Sequence, residues 1–156
     1  MSESFTLING ITLSIAVLGA VLGILNTWRN INRDRVKLRV VPKQTFGVGG
    51  LVQQKVSLCI EVTNFSTFPL TIREVGVLYH NTTVRGASIN PIIYDGGEFP
   101  RKLESRTSMS AYLQAEILQK RDGHSVKCVY AITDCGVMIK GNSPALKHLI
   151  KMSSEL

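Results

Sequence analysis

Three histidines, three cysteines and a few grouped carboxylates are the residues here whose types could carry chemistry. A nucleophilic enzyme pairs a Ser or Cys with a base that a third group orients. His80, His124 and His148 are scattered through turn-like or helical segments, and no G-x-S-x-G elbow occurs. Cys59, Cys128 and Cys135 are an odd number and lack the C-x-x-C spacing of zinc ribbons and thioredoxin-like sites. They read as free thiols in a reducing compartment. Gly47-Val48-Gly49-Gly50 resembles a phosphate loop only in its glycines, because no Lys-Ser/Thr and no helix follow. A hairpin turn is the simpler reading. Asp95, Glu98 and Glu104 match no calcium-loop spacing and read as solvated loop charges. Two N-x-S/T sequons, at Asn64 and Asn81, are expected to be coincidental. The sequence therefore predicts no catalytic residue, no cofactor and no metal site: a protein that is not an enzyme.

The strongest physical signal lies at the start of the chain. Phe5 to Leu25 carries no charge over 21 residues, about 31 Å as a helix, which matches a hydrocarbon core of ~30 Å. A cleaved signal peptide would need a basic leader and a shorter apolar stretch. Met-Ser-Glu-Ser has no basic residue, so a retained anchor is expected. All 18 Lys and Arg lie at Arg29 or later, against 11 Asp and Glu in the whole chain, for a net +7. Arg29, Arg33, Arg35, Lys37, Arg39 and Lys43 crowd the C-terminal flank around a single Asp34. The positive-inside rule then places the following domain in the cytosol and the N-terminus outside, in a cell inner (plasma) membrane. Trp28, Arg29, Arg33, Arg35, Lys37 and Arg39 are the expected membrane-interface residues. Their expected partner is a lipid bilayer with anionic headgroups, each basic residue contributing on the order of 1 kcal/mol. No specific nucleic acid is expected. Within the span, Ala16, Gly19, Ala20 and Gly23 are small residues at four-residue spacing, which lets two helices approach closely.

The remaining elements must come from period two. Residues 1–28 form the anchor, 29–35 a basic juxtamembrane connector that prolongs the helix by a turn or two, and 36–156 a β-sandwich domain. Val36, Leu38 and Val40 alternate with basic residues, and Lys55–Asn64 alternates most clearly of all. Asn64-Phe65-Ser66-Thr67-Phe68-Pro69 breaks that strand. Leu70–Tyr79 changes phase between Ile72 and Val75, which predicts a bulge. From His80 to Arg101 the chain is loop-like, with turn signals at Asn90-Pro91 and Asp95-Gly96-Gly97 and short edge strands at Thr82–Arg85 and Ile92–Tyr94. A strand at Thr107–Tyr112 leads to a helical segment at Leu113–Lys120. Asp122-Gly123 turns into Val126–Thr133, which forms a hairpin with Val137–Lys140. Ser143-Pro144 opens a helix over Ala145–Met152. The fold class is mainly β: one N-terminal transmembrane α-helix, then an immunoglobulin-like β-sandwich with a short C-terminal helix. Cys59 and Cys128 fall on strands that would correspond to the disulfide pair of antibody domains. Cys59 shares the face of Ser57 and Glu61, however, and the domain has no Trp, so a bridge is not expected.

Several strand–turn phrases carry a resemblance: Ile60-Glu61-Val62-Thr63-Asn64, Thr71-Ile72-Arg73-Glu74-Val75-Gly76, Val129-Tyr130-Ala131-Ile132-Thr133-Asp134 and Gly141-Asn142-Ser143-Pro144. With the apolar span and basic flank, the chain resembles a loosely defined, uncharacterised group of small bacterial single-pass membrane proteins. The resemblance covers nearly the whole chain and implies a bacterial or phage origin, but no activity. Two functions follow as expectations. One is a non-enzymatic, membrane-anchored scaffold that displays its sandwich to a protein partner or to its own copy, along an edge near Thr82–Tyr94. The other is a ligand-sensing membrane effector whose helix clusters through Gly19 and Gly23.

Overall fold

The computed structural model describes residues 2–45, 57–88, 91–93, 95, 97–119, 121 and 123–154. They form two compact units, Met1–Arg35 and Val36–Leu156. The first is a single helix, α1 (Ser2–Arg33). Its 25 residues from Asn9 to Arg33 are long and apolar enough to cross a membrane, and none of that window is buried within the protein. Ser14 and Thr27, polar residues on an otherwise apolar surface, return their hydroxyl protons to the carbonyls of Gly10 and Gly23, at 2.9 Å each. Neither needs water as a partner. The helix runs past the apolar stretch and ends only at Arg33, so most of the basic connector is helical.

The second unit is built from nine strands among the described residues: β1 (Leu38–Thr45), β2 (Ser57–Asn64), β3 (Leu70–Tyr79), β4 (Arg85–Ser88), β5 (Ile92–Ile93), β6 (Arg101–Leu103), β7 (Ser108–Leu113), β8 (Val126–Thr133) and β9 (Met138–Gly141). They make two antiparallel sheets, β1-β2-β7-β5 and β4-β3-β8-β9. Ile72 pairs with Arg101 of β6 and with Thr133 of β8, so β6 shares with β4 the edge of β3 away from β8. A 3-10 turn, Ala115–Leu118, follows β7, and a C-terminal helix, α2 (Pro144–Ser154), closes the fold.

Alternation decides which face of each sheet is apolar. Leu58, Ile60 and Val62 of β2, with Met109, Ala111 and Leu113 of β7, meet Ile72, Val75, Val77 and Tyr79 of β3 and Val129 and Ala131 of β8 in one core. Each Val, Leu, Ile or Met among them contributes about 1.5–3 kcal/mol by leaving water. The phase change expected in β3 is a register shift between Ile72 and Glu74 against β8, which keeps Ile72 and Val75 both inward. A second shift, at Leu78/Tyr79, leaves Lys127 unpaired on β8. Lys127 is the one exposed residue of that strand. Ser143 caps α2 as expected from its position before Pro144: its Oγ accepts from Leu146 N at 3.2 Å and donates to Pro42 O at 2.7 Å. One hydroxyl thus both starts the helix and fastens it to β1. Leu146 and Leu149 then reach the core.

Several boundaries differ from the sequence reading. The strand expected at Thr82–Arg85 lies at Arg85–Ser88, because Asn81 takes a left-handed φ of 55° and residues 81–83 turn the chain. The stretch read as a loop up to Arg101 ends in a strand, β6, too short to show a period. The helical segment expected over Leu113–Lys120 is a single 3-10 turn, since Leu113 is still held in β7 opposite Leu58. The glycine turn at Phe46–Gly50, the first residues of the strand expected from Lys55, and Asn90, Tyr94, Gly96, Lys120 and Asp122 lie outside the described residues.

Candidate interaction surfaces

The residues with chemical potential are dispersed by the fold. His80 follows β3, exposed, with its backbone N donating to Ser125 O; His124 pairs with Arg121 in an isolated bridge; His148 is exposed on α2. Among the described residues no group of three or more His, Cys, Asp or Glu is placed to hold a metal ion. Asp95 pairs with Arg101, and Glu104 with Lys102 at 2.9 Å, so two of the three loop carboxylates form ion pairs of their own.

The three cysteines are free thiols. Cys59 stands opposite Lys43 and Tyr112 on the outer face of one sheet, and Cys128 opposite Leu78 on the outer face of the other. They point away from each other across the whole sandwich. Burial pushes the Cys59 thiol up, against hydrogen bonds from Ser110 and Tyr112 and the nearby Lys43. Burial raises Cys128 as well. Both stay protonated near neutrality and are poor nucleophiles. On the outer face of the second sheet, the buried Tyr130 hydroxyl donates to Glu74, whose carboxylate also meets Arg85 Nε at 3.3 Å. Burial, then the bond to Glu74, holds the Tyr130 phenol well above its ordinary 10.0. The trio is closed on itself and faces no cavity described here.

Three surfaces remain open. The first is α1. Ala16, Gly19, Ala20 and Gly23 are exposed, and a Cβ placed on Gly19 or Gly23 would meet nothing within 4 Å. Trp28 is 69% exposed, Arg29 is exposed beside it and Arg33 sits in the last turn. Arg35 and Lys37 are exposed in the link to β1; Arg39 is exposed on β1 opposite Thr63. The helix-packing and interface residues expected from sequence are therefore all at the surface of their own unit.

The second is the side of the sandwich where β4 and β5, one from each sheet, are edge strands. A cleft of about 330 Å³ opens there, lined by Ala87, Ser88, Ile92, Tyr112, Gln114 and Ile117 among others. Ile92 stands 66% exposed at its rim. At four and two residues the edges are short, which limits unwanted sheet-to-sheet pairing while leaving backbone groups for one extended segment.

The third is the end of the sandwich at which β1 begins, and sequence reading missed it. Asn64 is fully buried; the two hydrogens of its Nδ2 are shared among the carbonyls of Phe68, Leu103 and Glu104 at 2.9–3.2 Å, and its Oδ1 accepts from Ser66 N at 2.8 Å. Ser66 Oγ accepts from Lys37 N at 2.8 Å, and Ser105 Oγ donates to Ser66 O at 2.7 Å. Phe65 N donates to Lys37 O and Arg106 N to Asn64 O. Three segments, the link before β1, the β2–β3 turn and the β6–β7 turn, are thus stitched together by one amide and two hydroxyls, with Phe65, Lys37 and Arg106 left exposed. Because Asn64 is buried and its amide is fully used, the first sequon is closed to glycosylation in the folded protein. The Asn-x-Ser spacing was visible in sequence, but the carbonyls it serves come from residues up to forty positions away.

No protein-family model matches the chain, and no curated protein matches it either.

Proposed function

We propose that this chain is a membrane-anchored, non-enzymatic interaction module. In this reading α1 crosses a bacterial inner membrane once, N-terminus outside, and holds an immunoglobulin-like sandwich in the cytosol. The observation that carries it is α1 itself: a 25-residue segment, Asn9–Arg33, long and apolar enough to span, with none of its apolar window buried by the protein, a surface that only a lipid phase or other helices can shield. The run of Arg and Lys that starts at Arg29 supports the orientation. The strand order supports the sandwich class, since β1-β2-β7-β5 and β4-β3-β8-β9 follow the A-B-E-D and C′-C-F-G arrangement of immunoglobulin-like domains. The β4–β5 edge and its cleft are the surface we assign to a protein partner, an extended segment lying along the edge with one apolar side chain in the cleft.

Deleting Phe5–Leu25 tests the division of labour. The truncated chain is expected to leave the membrane fraction and still bind the partner captured by the full-length protein; Ile92→Lys is expected to abolish that binding in both. Loss of all binding on release would count against a scaffold. A periplasmic reporter fused to the C-terminus is expected to be silent, and strong activity would overturn the orientation.

A second reading, a ligand-sensing effector that clusters through α1, is favoured by the uncovered small-residue face. A groove of about 500 Å³ runs along it beside Ala20, Gly23, Thr27 and Trp28. Growth arrest on expression, abolished by Gly19→Ile, would select this reading over the scaffold.

A further inference from the structure

The geometry points to a second, sandwich-borne membrane contact: the Phe65–Arg106 loop end is a docking surface for anionic lipid headgroups. This rests on the anchored reading above and goes beyond it, because Phe65 and Arg106 lie outside both the span and its basic flank, and only Lys37 is shared with that flank. Only Phe65, Val84 and Ile92 are large exposed apolar side chains of the sandwich among the described residues. Val84 and Ile92 flank the β4–β5 edge. Phe65, 42% exposed, is the one whose turn is bonded through backbone to two exposed basic residues, Lys37 and Arg106. Its own N–H is bound to Lys37 O at 2.7 Å, and the carbonyl before it accepts from Arg106 N at 2.9 Å.

The turn that presents Phe65 is rigid. The bonds of the Asn64 amide to three carbonyls and the two bonds through Ser66 fix the backbone on both sides of it. A pre-ordered aromatic loses little freedom when it enters an interfacial layer, where rings preferentially lie. Arg106 adds an independent sign. It holds a left-handed φ of 64°, which glycine or asparagine would adopt at lower cost. Its guanidinium makes no ion pair among the described residues, so nothing within the sandwich accounts for a long cation at a strained position. Nearby charge leaves the patch basic: Lys102 and Glu104 neutralise each other, and Arg35, Lys37 and Arg106 outnumber the exposed acids Asp34 in the link and Asp134 in the β8–β9 turn. The tether selects the occupant. Residues 34–37 alone separate the end of α1 from β1, a link that can extend no more than about 18 Å. Lys37, the last residue of that link, is itself hydrogen-bonded to the Phe65 turn. A lipid surface is therefore within reach of this end for as long as α1 is inserted. Each cation is expected to contribute about fivefold to the headgroup interaction.

The test uses the full chain in nanodiscs of phosphatidylglycerol or of phosphatidylcholine, each with and without doxyl-labelled lipid. Trp28 is the only tryptophan. In the native chain, its quenching by shallow doxyl lipid reports the anchor. In Trp28→Phe with Phe65→Trp, the new indole reports the loop. The expected result is blue-shifted, quenched emission from position 65 in phosphatidylglycerol, lost in phosphatidylcholine and lost when Lys37→Glu and Arg106→Glu are added. Lys127→Glu with Lys147→Glu, which changes net charge equally at exposed sites elsewhere, is expected to leave it intact. An unquenched Trp28 rejects the anchor. A quenched Trp28 with a solvent-like indole at 65 rejects only this inference. So does an indole at 65 shielded from iodide but untouched by doxyl lipid, which would mean that protein covers the loop. Quenching equal in both lipids also overturns it. Where Phe65→Trp disturbs the turn, doxyl quenching of a fluorophore placed by Thr67→Cys in a Cys135→Ser background reads the same loop.

Discussion

Glycine does opposite work in the two units. In α1, Gly19 and Gly23 look onto open space, and an added methyl would touch nothing. In the sandwich, a Cβ on Gly76 would fall 2.1 Å from Gly86 O, and one on Gly141 would fall 2.1 Å from Val40 O. Gly76 lets β4 lie close on β3; Gly141 lets β9 approach β1 and bring the two sheets together at that side. The sandwich has spent its small residues on its own packing, whereas the helix has left its small residues unspent. A surface that is complete in isolation needs no partner to be stable, and small residues left open on a helix permit a close approach by another helix.

The contrast can be broken most forcefully at the polar centre of the sandwich. Asn64→Ala removes the side-chain donor of the Phe68 and Leu103 carbonyls and the acceptor of the Ser66 N–H, while Glu104 O keeps its bonds from Thr107. The substitution is expected to cost about 4 kcal/mol, read as a lowered urea midpoint of the full chain in detergent. Gly141→Ala should cost about 3 kcal/mol by the same measurement, because backbone must move to admit the methyl. Gly19→Ala and Gly23→Ala are expected to leave that midpoint unchanged; a comparable loss from either would show that the two units are not energetically separate. Ser143→Ala removes a helix cap and a tie to β1 and should cost about 1–2 kcal/mol.

A pH titration sharpens the same point without mutation of the backbone. Tyr130 keeps its proton in the folded state well past 10.0 and gives it up at about that value when unfolded. Cys59 and Cys128 behave alike relative to 9.0. Their contribution is complete below pH 9 and falls as pH rises, because the folded state then binds more protons than the unfolded one. The urea midpoint should therefore decline from about pH 9 upward, with a shallower slope above pH 10 in Tyr130→Phe. The smallest effect is expected on the surface: Lys43→Ala breaks an exposed pair with Glu61 and should not measurably change stability.

What sequence revealed and what it hid divide along the range of the interactions. The apolar helix, the alternating strands, the bulge after Ile72 and the Ser143-Pro144 helix start are all written in residues within a few positions of each other. The pairing order of the strands is not, because β2 finds β7 across more than forty intervening residues. β6 escaped because three residues cannot display a period. The loop end around Asn64 escaped for a subtler reason. Asn-Phe-Ser-Thr-Phe-Pro carries the composition of any chain-breaking turn, and its meaning depends on carbonyls delivered by a distant loop. Phe65 and Arg106 become neighbours only once that amide is in place.

The fate of the three thiols has a practical side. Cys59 and Cys128 are buried on opposite outer faces, while Cys135 is exposed in the β8–β9 turn, its sulfur 3.0 Å from Thr133 Oγ1. The native chain thus carries one addressable sulfhydryl. A charged maleimide that cannot cross a bilayer would label it in inside-out vesicles and spare it in intact cells if the sandwich is cytosolic. The molecule reports its own sidedness, with no tag added.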